Sequence, residues 1–157
     1  MDTFQSCKSL TTANFPACSY IGASAFQYCS SLTEADFPAC SYIGGSPFAG
    51  CYSLITANFP VCSYIGSYAF ISCSSLTTVS FPACSSIGNY AFQNCSALNT
   101  LYLLGSSIVS IPGLTVFYGT PFANPQANTS IYVPASLVNS YKTATIWSGF
   151  SSKFVGV

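Results

Sequence analysis

Apolar and polar positions recur along this chain with a period of 22 residues. Phe15 to Asp36 reads FPACSYIGASAFQYCSSLTEAD. One period further on, the text is FPACSYIGGSPFAGCYSLITAN from Phe37, then FPVCSYIGSYAFISCSSLTTVS from Phe59 and FPACSSIGNYAFQNCSALNTLY from Phe81. A fixed period in the twenties marks stacked supersecondary units and outranks any local helix or strand assignment. The apolar rows are Phe4, Phe26, Phe48, Phe70, Phe92; Leu10, Leu32, Leu54, Leu76, Leu98; Phe15, Phe37, Phe59, Phe81, Leu103; and Ile21, Ile43, Ile65, Ile87, Val109. No single unit can bury such a face, so its stability has to come from stacking on its neighbours.

Within one unit, Ala35 and Phe37 alternate with Glu34 and Asp36, and a period of two predicts a short half-buried strand. Each strand is expected to pair in parallel with the same strand of the next turn. Pro38 lacks an N–H and ends the pairing. Tyr42, Ile43 and Gly44 form a second extended piece. The glycine row Gly22, Gly44, Gly66, Gly88 is expected to supply backbone angles that a Cβ would penalise. From Ala25 to Cys29 there is room for one tight helical turn.

These residues resemble a known family. The spacing LxxAxFPxC, with Cys40 at the Asn/Cys position, matches the leucine-rich repeat frame. Ile21-Gly22, Ala25-Phe26, Cys29 and Leu32 then look like the BspA-like leucine-rich repeats of bacterial surface proteins. The likeness covers roughly residues 3 to 113. Two departures stand out: Ala13, Ala35 and Ala57 occupy a position where a larger aliphatic is usual, and FP replaces the commoner IP.

The expected fold is therefore a mainly β repeat solenoid: a leucine-rich repeat array of about five 22-residue turns with a parallel sheet, followed by a C-terminal strand/helix cap. The array spans residues 1–113, with units beginning at Phe4, Phe26, Phe48, Phe70 and Phe92. Residues 114–157 hold a degenerate turn and the cap. In the fifth unit Leu104, Ser106 and Ser110 replace the proline, cysteine and glycine. Val116 to Phe122 reads as a remnant of the aromatic corner, and Ile131-Tyr132-Val133 as the final strand. Leu137, Val138, Tyr141 and Ala144 fall at helical spacing after Pro134, with Trp147, Phe150 and Phe154 tucked beneath. The ending resembles those of some surface proteins of the same family. At the other end the chain starts inside a repeat, with no signal peptide, and reads as a fragment. Its first turn is expected to be uncapped and open to self-association.

Composition narrows the chemistry. Half of the residues are apolar, only six are charged, and histidine and arginine are absent. A net charge of zero leaves no electrostatic footprint for nucleic acid, and no apolar run is long enough to insert into a membrane. The nine cysteines fall into two rows: Cys7, Cys29, Cys51, Cys73, Cys95, and Cys18, Cys40, Cys62, Cys84. Three readings are open: free buried thiols, disulfides and metal ligands. Free thiols are the stronger reading. Stacked turns lie about 4.8 Å apart with parallel Cβ directions, which is wrong for a bridge, and cysteine behaves as a small hydrophobe. Zinc is disfavoured by the missing CxxC and histidine.

No residue set suits acid–base or nucleophilic catalysis, so the chain is not expected to be an enzyme, to carry a cofactor or to hold a metal. Glu34 and Asp36, about 7 Å apart along one strand at ~3.4 Å per residue, read as a solvated pair. A weak calcium contact through Asn14, Asp36 and Asn58 would lack ligands. What remains is surface. The candidate ligand face is formed by two outward ladders, Thr12, Glu34, Thr56, Thr78, Thr100 and Asn14, Asp36, Asn58, Ser80, Tyr102. These residue types also suit solubility and strand propensity alone. Tyr28, Tyr52, Tyr68 and Tyr90 form a second candidate, aromatic face. Tyr20, Tyr42 and Tyr64 offer either an interface or a self-stacked shield. The family resemblance implies an extracellular or cell-surface location and adhesion to a protein or glycan. The alternative is a spacer that binds nothing itself.

Overall fold

The computed structural model describes residues 4–157. Each turn contributes two short strands. They are β1 (Thr12–Asn14) and β2 (Tyr20–Ile21), β3 (Glu34–Asp36) and β4 (Tyr42–Ile43), β5 (Thr56–Asn58) and β6 (Tyr64–Ile65), and β7 (Thr78–Ser80) and β8 (Ser86–Ile87). A fifth turn supplies β9 (Thr100–Tyr102), and the tail adds β10 (Ser130–Val133), helix α1 (Val138–Thr143) and β11 (Phe154–Gly156). The three-residue strands pair in parallel in the order β1-β3-β5-β7-β9-β10-β11, and the two-residue strands as β2-β4-β6-β8. Register follows the sequence period: Thr12 lies opposite Glu34, Ala13 opposite Ala35, and Asn14 opposite Asp36. The architecture is the expected repeat solenoid with parallel sheets.

A third ladder links the turns where no strand exists. The N–H groups of Phe4, Phe26, Phe48, Phe70 and Phe92 each donate to a carbonyl of the following turn, at 2.8–3.0 Å. This segment is not the helical turn expected of it. Gln27, Cys29 and Leu32 donate to the carbonyls three residues back, closing overlapping turns. Ser24 and Tyr28 sit in the left-handed region, at φ 56° and 61°. Two left-handed residues within five break a helix and aim the remaining N–H groups at the next turn.

The core is an aromatic spine. Phe26, Phe48, Phe70, Phe92 and Phe117 stack with ring centroids 5.2–5.7 Å apart and planes within 8°. Phe37 and Phe59 stack beside them at 5.5 Å, and edge contacts such as Phe26 to Phe37 lock the two columns together. Offset stacks and edge contacts are both favourable ring arrangements. All of these rings are fully buried or nearly so. Phe117 thus takes the place of a sixth repeat phenylalanine, reached through the remnant corner after Val116.

The glycine row does something other than expected. Gly44, Gly66 and Gly88 keep ordinary backbone angles; the glycines with positive φ are Gly50 and Gly119. A Cβ on Gly44 would lie 3.0 Å from the Ile21 carbonyl oxygen, one on Gly88 2.5 Å from the Ser67 nitrogen, and one on Gly66 would overlap the Gly44 carbonyl. The row is glycine because each turn passes directly over the one before it.

The cap differs in one respect from its sequence reading. β10 is not the last strand, because β11 pairs beyond it, with Ile131 opposite Phe154. Phe154 is therefore a strand residue, and it is buried against the helix as expected, its ring 5.1 Å from that of Tyr141. Trp147 and Phe150 are buried as expected. The helix after Pro134 is short, opened by a 3-10 turn at Ala135–Leu137. Tyr141 Oη accepts from the Val109 N–H at 3.0 Å, and Trp147 Nε1 donates to the Val109 carbonyl at 2.7 Å. These two bonds satisfy the backbone at the end of the last repeat row. Among the described residues, no helix is long and apolar enough to cross a membrane.

Candidate functional site

The seven-stranded sheet turns its small apolar row inward and its polar residues outward. Ala13, Ala35, Val79, Leu101 and Ile131 are buried. Thr12, Glu34, Thr56 and Thr78 are exposed, as are Asn14, Asn58 and Ser80, while Asp36, Thr100 and Tyr102 are half-buried. Parallel register brings each ladder into line, and both ladders run further than the sequence suggested. Ser130 lies opposite Thr100, and Tyr132 opposite Tyr102. The Tyr102 and Tyr132 rings stack at 4.6 Å, with planes 12° apart. A signal for this extension exists in the sequence, since Ser130-Ile131-Tyr132 repeats the pattern of Thr100-Leu101-Tyr102. Along the second ladder, Asn58 Nδ2 donates to Asp36 Oδ1 at 2.6 Å.

This face is interrupted at one seam. β5 and β7 pair only through Asn58 and Ser80, whereas β7 and β9 pair through all three residues. The seam coincides with the change of the inward row from Ala13, Ala35 and Ala57 to the branched Val79, Leu101 and Ile131. It opens a groove of about 440 Å³ lined by Thr56, Asn58, Thr78 and Ser80 of the candidate face. Ile55 stands on its edge, 51 % exposed. Four candidate residues and an exposed apolar side chain therefore meet in one concavity.

The second candidate face is also assembled. Tyr28, Tyr52 and Tyr68 line one groove on the flank of the turns, and Tyr90 stacks on Tyr68 at 5.1 Å. The remaining tyrosine row forms its own column, with Tyr20 on Tyr42 at 5.1 Å and Tyr42 on Tyr64 at 4.7 Å. Loss of water around Tyr42, with the Tyr64 and Tyr20 phenols beside it, raises its hydroxyl pKa. The self-stacked arrangement is what the structure shows for this row.

The nine cysteines are free: seven are buried as expected, but Cys18 is half-buried and Cys7 exposed, because they lie in the first described turn. The eight from Cys18 onward take part in the backbone network. Cys29, Cys51, Cys73 and Cys95 donate from Sγ to the carbonyls of Phe4, Phe26, Phe48 and Phe70 in the preceding turn, at 3.0–3.2 Å. Cys18, Cys40, Cys62 and Cys84 donate to the carbonyl two residues on, at 3.2–3.4 Å. Burial pushes the thiols of Cys51, Cys62 and Cys95 up to about 12, the opposite of what a nucleophile needs. A further row escaped the sequence reading. Ser41, Ser63 and Ser85 each send both N–H and Oγ to the carbonyl of the serine one turn earlier. Among the described residues there is no group of three or more histidine, cysteine, aspartate or glutamate side chains that could hold a metal.

A family model described as "BspA type Leucine rich repeat region" matches residues 1–124 in six copies. Its reach takes in the remnant turn that carries Phe117. Among solved structures, a leucine-rich repeat protein from Bacteroides ovatus ATCC 8483 is similar over 99% of this chain, with 24% identity and a TM-score of 0.73. That likeness shows the fold, and the chain spans 38% of the length of that protein. No curated protein is significantly similar to the chain.

Proposed function

The chain belongs to the BspA-type leucine-rich repeat family, and on that premise we propose that it is a non-enzymatic interaction module of a bacterial cell-surface or secreted protein. It binds a protein or glycan on the outward face of the seven-stranded sheet and thereby serves adhesion. The observation that carries this reading is the groove between β5 and β7, where Thr56, Asn58, Thr78 and Ser80 converge beside the exposed Ile55. Solenoids use such extended faces for recognition because the backbone beneath them is held by neighbouring turns. An ordered face loses little conformational entropy on binding.

A spacer that holds other domains apart is the second reading, and the continuous phenylalanine spine from Phe26 to Phe117 favours it, since stacked rings stiffen the array. Binding of the chain to arrays of extracellular-matrix proteins, mucin and glycans separates the two. Recognition at the sheet predicts saturable binding that Asp36→Lys or Asn58→Ala weakens at least about tenfold, roughly 1.4 kcal/mol, with the melting temperature unchanged. A spacer shows no saturable binding at all.

A further inference from the structure

The flank groove departs from the repeat pattern in a way that the fold does not require. Its three tyrosines come from three different rows. Tyr28 shares its row with Ser6, Gly50, Ser72 and Asn94; Tyr52 shares one with Lys8, Ser30, Ser74 and Ser96; and Tyr68 shares one with Ser24, Ser46 and Tyr90. The groove therefore exists once, on three consecutive turns, and is not a by-product of repetition. Two of its tyrosines are held in a costly backbone state. Tyr28 and Tyr68 have φ of 61° and 59°, where Ser6, Ser72, Ser24 and Ser46 occupy the same conformation with a small side chain. The left-handed backbone belongs to the repeat and costs a non-glycine residue about 1–2 kcal/mol wherever it occurs; what sets these two positions apart is the large aromatic side chain placed on it.

Gly50 makes the floor. A Cβ there would sit 2.6 Å from the Tyr28 ring and 3.6 Å from the Tyr52 hydroxyl, so both rings come down over bare backbone. Tyr28, Tyr52 and Tyr68 nevertheless keep 47%, 49% and 41% of their surface in water. The hollow measures about 320 Å³, and the other polar groups lining it are Gln27, Ser46 and Ser72. None of its lining residues is charged. Tyr28 and Tyr52 also wall a second hollow of about 440 Å³ that holds Ser6, Ser30 and Lys8. The two rings thus form a ridge with polar ground on either side.

From this geometry we infer a binding site for a neutral oligosaccharide of several pyranose units, laid across Tyr28 and Tyr52 with Tyr68 closing one end. A pyranose carries an apolar C–H face and a rim of hydroxyls. Exposed aromatic faces match the first, while tyrosine hydroxyls, serine hydroxyls and the Gln27 amide match the second. Tyrosine supplies both kinds of contact at little entropic cost because it has few rotatable bonds. The uncharged lining selects against sulfated or carboxylated glycans, whose anionic groups would find a single lysine at the far side of the ridge. This site is separate from the sheet face and does not depend on it.

Immobilised neutral hexasaccharides of the glucan, mannan, xylan and galactan classes, with heparin as the charged control, test the assignment. Saturable binding of at least one neutral hexasaccharide and weaker binding of heparin are expected. The variant Tyr28→Ser/Tyr52→Ser/Tyr68→Ser should melt at or above the wild-type temperature, because other turns already carry serine at all three positions. It should lose at least tenfold in saccharide affinity. Tyr52→Phe should retain most of the binding, and Asp36→Lys all of it. The assignment is overturned if no neutral saccharide binds, if heparin is preferred, or if the triple variant binds as tightly as wild type. Loss through Asp36→Lys alone would move the saccharide to the sheet face and overturn it equally.

Discussion

At the scale of single residues, the most conspicuous side chains are the cysteines, which donate to backbone carbonyls of their own and neighbouring turns. The cysteine rows were readable from spacing, and so was their character as small buried hydrophobes. Their hydrogen bonds were not, because a thiol's acceptor is a carbonyl of its own or a neighbouring turn whose position depends on stacking. Burial, with the thiol of the neighbouring turn adding to it for Cys51 and Cys62 and backbone hydrogen bonds opposing it by less, holds Cys51, Cys62 and Cys95 protonated up to about 12 and Cys84 up to about 11. In the unfolded chain the same thiols ionise from an ordinary value of 9.0. Below pH 9 both states are protonated and the stabilisation is fully present. Above it the unfolded chain gains charge first, so stability falls as pH rises toward 11–12, by about 1.4 kcal/mol per pH unit for each fully buried thiol. Circular-dichroism melts should show a flat melting temperature from pH 6 to 9 and a steep decline beyond. A profile that stays flat to pH 11 would contradict the buried, protonated state. The tyrosines show a different limit of legibility. Tyr28, Tyr68 and Tyr90 have nothing in their local sequence that announces a left-handed backbone; only the serines and glycine in the same rows hint at it.

At the scale of the repeat element, the half-buried strand was legible because alternation of Ala35 and Phe37 with Glu34 and Asp36 belongs to the strand itself. The glycine row and the AFQYC corner were misread for a common reason. Both are shaped by the adjoining turn, which approaches Gly66 closely enough to exclude a Cβ and takes the N–H of Phe26 away from any helix. Steric exclusion by a neighbour and a special backbone angle both select glycine, so the residue alone cannot tell them apart. A pair of substitutions can. Gly66→Ala should lower stability by about 2–3 kcal/mol through overpacking. Gly45→Ala, where the nearest atom to a Cβ is the Ser67 carbonyl oxygen at 3.8 Å, should be neutral or stabilising by up to about 1 kcal/mol. Urea denaturation of the two variants measures both, and equal effects would remove the close-approach explanation.

At the scale of the whole molecule, the two ends of the array are unlike. Phe48, Phe59 and Cys62 are fully buried, whereas their counterparts Phe4, Phe15 and Cys18 in the first described turn are only partly covered. At the far end Tyr141 and Trp147 hold Val109 from both sides, and β10 and β11 extend the sheet. Stability in a stacked array is close to a sum of nearest-neighbour interfaces, so in these 157 residues the turn whose core rows are least covered opens first. Hydrogen exchange should find the amides of residues 4–18 least protected and those of the third and fourth turns most protected, and uniform protection would refute this gradient. The period, the parallel pairing, the inward and outward rows and the presence of a C-terminal cap could all be read from 157 letters, because each copy of the unit meets the same surroundings and the copies therefore report on one another. The seam between β5 and β7, the closing of Tyr28, Tyr52 and Tyr68 into one groove over Gly50 and the terminal strand Phe154–Gly156 could not. Each of these arises where neighbouring turns differ, and contacts between unlike units are set by packing in three dimensions, on which a repeat pattern carries no information.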